Sequence, residues 1–246
     1  MGRRAGESQS DPAVAGGVVY VGAADGKLYA LNAATGATVW TATTGGQILD
    51  AAAVADGSVF VRARDGNAYA FDAATGASRW TTPIGGNPAF GLGPTPTGPA
   101  VAGGRVFVGG PRDGKLYALD AATGAVLWTH NPGEPTIGTP AVDGSRVYVT
   151  LGGRYLRALD PATGATIWSV EGSQLAPVSS TAPTLANGVL YHGTQTGTLV
   201  ARNPAAGAVL WSDATAPHTT TATTAVVVAN GAVYSSRSTG ITAHHP

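Results

Sequence analysis

Cysteine is absent from the 246 residues, which excludes disulfides, thiolate nucleophiles and zinc–thiolate sites. Charged residues are scarce at 11%, and 14 acidic side chains balance 14 basic ones. The chain therefore has no bulk charge to attract nucleic acid or an anionic membrane. No apolar run approaches the roughly 18 residues that a membrane-spanning helix needs. The opening residues, MGRRAGESQSDP, also lack the apolar stretch of a secretory signal.

What the sequence has is a repeat. Its five tryptophans are spaced by 40, 48, 40 and 43 residues, and each closes an eleven-residue phrase of the form Ala-x-Asp/Asn-x-x-Thr-Gly-x-x-x-Trp. The fifth copy, ARNPAAGAVLW, has alanine in place of threonine. A period of about 40 residues is the signature of a repeat architecture. The tryptophans are Trp40, Trp80, Trp128, Trp168 and Trp211.

Each repeat predicts four short antiparallel strands, which we denote A to D. In the third repeat these are PAVAG, RVFVG, KLYALD and AVLW, where apolar residues alternate between glycine and aspartate. Pairs such as Asn187-Gly188 and Asp143-Gly144 predict two-residue hairpins between A and B. Between C and D, the Asp carboxylate accepts turn amides and the phrase glycine takes the left-handed conformation. Four-stranded units at this period describe the blades of a β-propeller.

The phrase AxDxxTGxxxW, with the preceding DGxLY, resembles the tryptophan-docking motif of pyrroloquinoline-quinone-type propeller repeats. The resemblance extends over nearly the whole chain. It implies that each tryptophan packs toward the neighbouring blade. It also implies a relation to non-catalytic members, such as scaffolds of outer-membrane β-barrel assembly and sensor domains of bacterial kinases.

We expect an all-β propeller of six repeats, the sixth without its outer strand. Residues 1–10 form a polar tail, and 11–246 form a single domain. A closed six-bladed ring is the first interpretation, and a fragment of a seven- or eight-bladed ring is the alternative, because members of the family often have eight blades. The predicted blades are 11–45, 46–85, 94–133, 136–175, 178–215 and 220–246.

Function is expected at the end of the blades that carries the B–C turns and the variable D–A connections, because loops on a repeated scaffold usually carry function. Eight of the 14 acids serve turns, and four others fall in D–A connections: Asp50, Glu134, Glu171 and Asp213. The same end carries Arg64, Arg112, Arg154 and Arg237 near B–C turns, with His130 and His218 in D–A loops. Phe90 lies in the longest connection. It is equally interpreted as an exposed anchor for a ligand or as a side chain that packs against its own loop. For any one of these residues, a solvated loop side chain is the simpler interpretation.

Catalytic and metal-binding patterns are weak. His130 and His218 have no partner at metal-ligand spacing, and His192 is interpreted as a strand side chain. His244-His245 lies in the terminal strand, where adjacent residues face opposite ways and do not favour a chelating pair, and a frayed tail is the simpler interpretation. No nucleophile elbow or phosphate loop is present. We therefore expect no cofactor and no catalytic residues. The resemblance makes a dehydrogenase using pyrroloquinoline quinone with Ca²⁺, a sugar-processing enzyme, or a fragment of one, the alternative.

The expected function is thus a binding or scaffold module that recognises a protein, peptide or glycan, and no nucleic acid, through the variable loops. The family resemblance favours an extracytoplasmic, bacterial setting. The abundance of alanine, glycine and threonine fits a bacterial source.

Overall fold

The computed structural model describes residues 10–85, 98–110, 114–131, 133, 136–152, 154–171, 181–194, 198–213, 225–237 and 240–244, without the side chains of 136, 137 and 237. These residues form 23 β-strands in six antiparallel sheets, five with four strands and the last with three. The predicted β-propeller fold class, with six repeats and an incomplete sixth, is confirmed. Within the described part of the chain, no helix is long and apolar enough to cross a membrane.

The chain divides into two compact units, Met1–Gly133 and Glu134–Pro246. The first unit holds sheets 1 to 3, and each sheet follows the chain order of its strands. The strands of sheet 1 are β1 (Ala13–Ala15), β2 (Val18–Gly22), β3 (Lys27–Asn32) and β4 (Thr38–Thr43). Those of sheet 2 are β5 (Ala53–Ala55), β6 (Ser58–Arg62), β7 (Asn67–Asp72) and β8 (Ser78–Pro83). Those of sheet 3 are β9 (Ala100–Ala102), β10 (Arg105–Gly109), β11 (Leu116–Asp120) and β12 (Val126–His130).

The second unit holds sheets 4 to 6, built in the same way. The strands of sheet 4 are β13 (Thr136–Val142), β14 (Val147–Leu151), β15 (Tyr155–Leu159) and β16 (Thr166–Glu171). Those of sheet 5 are β17 (Thr184–Ala186), β18 (Val189–Gly193), β19 (Leu199–Arg202) and β20 (Val209–Asp213). Those of sheet 6 are β21 (Ala225–Ala229), β22 (Ala232–Arg237) and β23 (Gly240–His244).

The turns follow the predicted chemistry, with one difference. Asn187 and Gly188 both have positive φ, at 51° and 73°, as a two-residue hairpin of type I′ requires. In sheet 4, however, Val142 pairs with Val147, so the turn contains four residues rather than two. The carboxylate of Asp143 there accepts the amides of Ser145 and Arg146 at 2.8 and 2.7 Å. Accepting these amides keeps Asp143 out of the positive-φ conformation that a two-residue turn would impose.

The repeated turn between the third and fourth strands is held by its first residue. In sheet 2, Asp72 Oδ1 accepts the amides of Ala74 and Thr75 and the Thr75 hydroxyl at 2.9–3.0 Å. Gly76 follows at φ 73°. The guanidinium of Arg79, followed by the Thr75 hydrogen bonds, lowers the pKa of Asp72 to about 2. The acid of the repeated phrase therefore stabilises a turn, as predicted.

The cores lie between neighbouring sheets of a unit. Val59, Val61 and Phe71 of sheet 2 are 0–3% exposed and pack against Tyr20 and Leu28 of sheet 1. Because successive side chains of a strand point to opposite faces, the middle sheet of each unit contacts one neighbouring sheet with each face. This stacking leaves the outer strands and the loops for recognition.

Candidate functional site

Three tryptophans join neighbouring sheets in the same way. The Nε1–H groups of Trp40, Trp80 and Trp168 each donate, at 3.0 Å, to a carbonyl in the turn of the next sheet. Each ring covers the glycine of that turn, so a Cβ on Gly124 would lie 2.6 Å from the Trp80 ring. Trp128 and Trp211 each lie against an aromatic ring of their own sheet, and the distances between the ring centroids are 5.8 and 6.1 Å. The acceptor residues are Ala73, Ala121 and Pro204.

The end of each sheet that carries the B–C turn and the connection before the first strand is called the loop end here. Of the residues predicted for it, six are described with their side chains: Asp50, Arg64, His130, Arg154, Glu171 and Asp213. Arg237 closes β22, and nothing is stated of its side chain. Phe90, Arg112, Glu134 and His218 lie outside the described residues.

Asp50 is buried in an ion pair with Arg62. The carboxylate is 5% exposed, and its Oδ2 lies 2.7 Å from Arg62 Nε and 2.6 Å from Nη2. Arg62 also donates to the carbonyl of Gly109 in sheet 3, at 3.2 Å. Sequence reasoning missed Arg62, although its position, at the end of the second strand, is glycine in sheets 1, 3 and 5. In this buried ion pair the positive charge of Arg62 neutralises the negative charge of Asp50, so the pair presents little charge to a partner.

Arg64 and His130 are each half-buried at the loop end of unit 1. The amide of Arg64 donates to the carbonyl of Gln47 at 2.9 Å, which ties the connection between sheets 1 and 2 to the turn of sheet 2. His130 is the last residue of β12 and pairs with Leu116 across the sheet. Both residues help to shape the loop end.

Arg154 and Glu171 meet in an exposed cluster at the loop end of sheet 4. Arg154 donates through Nε and Nη2 to Glu171 Oε1 at 3.1 and 2.7 Å, and the two side chains are 45% and 54% exposed. The Tyr155 hydroxyl donates to the same oxygen at 3.2 Å. The guanidinium carbons of Arg154 and Arg157 lie 5.5 and 5.2 Å from the centroid of the Tyr155 ring. Two guanidinium groups thus lie near one aromatic ring, and the Glu171 carboxylate accepts hydrogen bonds from Arg154 and Tyr155.

This cluster replaces a contact found in the first two sheets. There, Tyr29 and Tyr69 donate to Asp25 and Asp65 of the B–C turn. Arg157 occupies the tyrosine position in sheet 4, and residues 152–154 read GGR where the turns of sheets 1 to 3 have Asp-Gly. This departure from the repeat was the sequence signal for a specialised surface.

Asp213, Ser235 and His244 form a hydrogen-bonded chain between sheets 5 and 6. His244 Nδ1 lies 2.6 Å from Asp213 Oδ2, and His244 Nε2 lies 3.0 Å from Ser235 Oγ. His244 is 8% exposed, so the expectation of a frayed end is wrong for this residue. Asp213 reaches it because it faces sheet 6, as Thr82 faces sheet 3 and donates to Gly124 O at 2.7 Å.

The order of these three groups matches that of a nucleophile, a general base and an orienting acid. Ser235 is completely buried, and its strand β22 is paired on both sides. The hydroxyl is therefore closed to a substrate, and the chain attaches sheet 6 to sheet 5. In sheet 5 the corresponding pair is His192 and Arg202, where Arg202 Nε donates to His192 Nε2 at 2.9 Å. His192 is a strand side chain, as predicted, and burial lowers the pKa of Arg202.

The described acids of the loop end do not fit a Ca²⁺ site of the kind that a quinone cofactor would accompany. Asp50, Glu171 and Asp213 are each bound to a basic side chain of their own surroundings. Calcium takes six to eight oxygen ligands, and in the described part of the chain no three His, Asp or Glu residues converge on one point.

Comparison with known proteins places this repeat in a family. A family model described as "Outer membrane protein assembly factor BamB" matches residues 2–97 and again residues 70–244. The chain belongs to this family of pyrroloquinoline-quinone-type repeat proteins. No curated protein matches it significantly.

Solved structures of the family's fold include proteins with different roles. BamB from Moraxella catarrhalis is 23% identical with a TM-score of 0.73, over 96% of this chain and 84% of its own. The computationally designed Ika8 protein is 19% identical with a TM-score of 0.80, over 97% and 71%. Quinohemoprotein alcohol dehydrogenase ADHIIG from Pseudomonas putida HK5 is 19% identical with a TM-score of 0.67, over 85% of this chain and 42% of its own. The chain spans less than half of the length of that enzyme. At these identities, the similarity to all three structures shows a shared fold and no more.

Proposed function

We propose that this protein is a non-catalytic binding module of the bacterial cell envelope, and that the loop end recognises a protein partner. The observation that carries the proposal is the exposed cluster of Arg154, Tyr155, Arg157 and Glu171. Arginine and tyrosine are enriched among the residues that dominate binding energy at protein interfaces. Guanidinium groups form strong charge-assisted hydrogen bonds with carboxylates, so the cluster favours a partner segment that carries acidic side chains.

The departure from the repeat supports this assignment. Sheets 1 and 2 use the same positions for a tyrosine–aspartate contact that fastens a turn. In sheet 4, Arg154 and Arg157 lie in this region instead of the aspartate and the tyrosine. The exposed ion pair of Arg154 and Glu171 adds little to stability, since exposed ion pairs contribute about 0–1 kcal/mol. Binding of a partner therefore accounts for the two arginines of sheet 4 better than stabilisation of the fold does.

A photo-crosslinking residue placed at Arg157 tests the proposal in a cell-envelope extract of the source bacterium. We expect a discrete protein adduct, lost when Arg154 is replaced by glutamate. The matched control carries the crosslinker at Arg79, whose ion pair with Asp72 is similarly exposed, at 37% and 30%, but lies at the opposite end of its sheet. Equal adducts from both positions, or none from Arg157, would contradict the assignment of this face.

The relation to quinohemoprotein dehydrogenases makes cofactor-dependent oxidation the second candidate. Adding pyrroloquinoline quinone and Ca²⁺ while recording absorbance and thermal unfolding distinguishes the two, because a ligand that binds the folded state raises the melting temperature. We expect no saturable spectral change. A saturable spectrum with thermal stabilisation would favour the enzyme.

A further inference from the structure

Two core positions that are apolar in sheets 1 to 4 are ionisable in sheet 5. His192 and Arg202 occupy them, since Leu190 pairs with Arg202 as Val106 pairs with Leu119 in sheet 3. His192 is completely buried and Arg202 is half-buried. In the other four sheets the same two positions hold Val21 and Leu31, Val61 and Phe71, Val108 and Leu119, and Val149 and Leu159.

The pair lies between sheets 4 and 5. Leu190, which is directly opposite Arg202 on the neighbouring strand, belongs to the apolar cluster formed with sheet 4. Residues two apart on a strand share a face, as do directly paired residues, so His192 and Arg202 also face sheet 4. Arg202 Nη1 donates at 2.8 Å to the carbonyl of Gly207, whose turn is covered by the Trp168 ring of sheet 4.

The hydrogen bond between the two side chains fixes the protonation state of His192. A guanidinium group has only donors and stays protonated. Arg202 Nε donates to His192 Nε2 at 2.9 Å, so this ring nitrogen accepts and carries no proton. A proton added to Nε2 would break the bond and bring two positive charges together at a completely buried position. Like charges repel more strongly there than in water, because the effective dielectric constant is lower.

The surrounding charged groups are set by the same stacking. Among the described residues, Tyr148 is the titratable side chain that the strands of sheet 4 place on this face, and burial raises its pKa. Its hydroxyl donates at 2.8 Å to Asp143, which also accepts turn amides, and Arg146 of the same turn adds a positive charge nearby. Asp213 of sheet 5 faces sheet 6. The remaining ionisable side chains of the sheet 4 strands alternate to its other face: Tyr155, Arg157 and Glu171.

Sheet 6 uses the same two positions with a different partner. They hold Ser235 and His244, since Val233 pairs with His244 as Leu190 pairs with Arg202. His244 lies 2.6 Å from the carboxylate of Asp213. One buried histidine therefore contacts a carboxylate, whereas His192 contacts a guanidinium.

We propose that His192 and Arg202 form a pH-sensitive contact that holds sheet 5 against sheet 4 near neutral pH and weakens in acid. Histidine changes its charge between pH 5 and 8, and protonation of buried histidines alters interfaces in known pH sensors. The inference concerns the interface of two sheets and does not rest on binding at the Arg154 cluster.

The sign of the effect follows from proton linkage. In the unfolded chain a histidine takes up a proton with a pKa of about 6.5, whereas in the folded chain the guanidinium opposes that proton. The unfolded state then binds more protons in acid, so this contribution to stability is present above about pH 6.5 and is lost as the pH falls below it. If the fold excludes the proton completely, the unfolding equilibrium constant rises about thirtyfold between pH 7.5 and 5.0.

Urea unfolding of the full chain at pH 7.5 and 5.0 tests the proposal. His192→Gln keeps an acceptor for Arg202 but does not titrate, and the double variant His192→Val with Arg202→Leu restores the residue types of sheet 3. We expect the rise of the unfolding constant in acid to be about five- to thirtyfold larger in the wild type than in either variant. His130→Gln removes a half-buried histidine of unit 1 and should keep the wild-type rise. All other titrating groups are shared, so the difference reports the pair.

Nitrogen-15 NMR of the imidazole rings gives a second readout that does not depend on stability. The His192 signals are those missing from His192→Gln. In the folded chain at pH 6.0 they should show a neutral ring with its proton on Nδ1, at a pH where a histidine with an ordinary pKa is mostly cationic. A cationic His192 in the folded chain at pH 6.0 would overturn the proposal. An equal effect of acid on the wild type and on both variants would also overturn it.

Discussion

Replacing Trp80 by alanine removes a ring that joins sheets 2 and 3. The side chain is 8% exposed, lies 5.8 Å from Phe60, covers Gly124 and donates to Ala121 O at 3.0 Å. About 200 Å² of aromatic surface at about 25 cal/mol/Å² corresponds to about 5 kcal/mol. Large aromatic-to-alanine changes in cores cost about 3–5 kcal/mol. We expect a loss of about 4 kcal/mol in the free energy of unfolding.

Thermal unfolding followed by circular dichroism measures this loss. In a chain of this size, each kcal/mol lowers the melting temperature by about 2–4 °C, so Trp80→Ala should lower it by about 8–16 °C. Trp80→Phe keeps a ring but loses the donor, and a net hydrogen bond is worth about 1 kcal/mol, so its effect should be clearly smaller. Leu127→Ala, at a 46% exposed position, is the control for shortening an apolar side chain. A melting temperature of Trp80→Ala within about 2 °C of that of Leu127→Ala would refute the role of Trp80 between sheets.

Two further outcomes follow from the repeated turn. Because the folded pKa of Asp72 is lowered from 3.8 to about 2, its contribution to stability is present above pH 3.8 and is lost as the pH falls toward 2. Arg79→Ala should raise that pKa toward 3.8, measured by NMR titration of the carboxyl carbon, and an unchanged value would contradict the assigned cause. Gly124→Ala should destabilise by about 1–3 kcal/mol more than Gly104→Ala, measured by urea unfolding, because both have positive φ but only Gly124 touches the Trp80 ring. Equal losses would mean that the contact with Trp80 contributes little.

The sequence predicted the strands and turns closely because local chemistry decides them. The third repeat was expected to form strands at PAVAG, RVFVG, KLYALD and AVLW, and β9 to β12 lie there. The four-residue turn at Asp143 differed because an Asx contact with Ser145 and Arg146 competes with the positive-φ hairpin. One dipeptide admits both turns, and the pairing of Val142 with Val147 selects between them.

The candidate site was less predictable, since the partner of a polar side chain is set by another sheet or a distant strand. Asp50, Glu171 and Asp213 looked equivalent in the sequence, each an acid in a variable connection. In the structure one is buried with Arg62, one is exposed with Arg154, and one faces sheet 6 and His244. Which acid reaches solvent depends on the twist and stacking of sheets, which no local pattern records.

The sequence alone therefore determined the family, the all-β fold, the six repeats and the structural role of the phrase GKLYALDAATGAVLW, because these depend on residue spacing and turn chemistry. Tertiary structure alone decided that His244 is buried, that Arg157 lies beside Tyr155, and that Asp50 is buried against Arg62. The physical reason is that burial and pairing are properties of stacked sheets. Neighbours along the chain fix a strand, but neighbours across sheets fix what each side chain can bind.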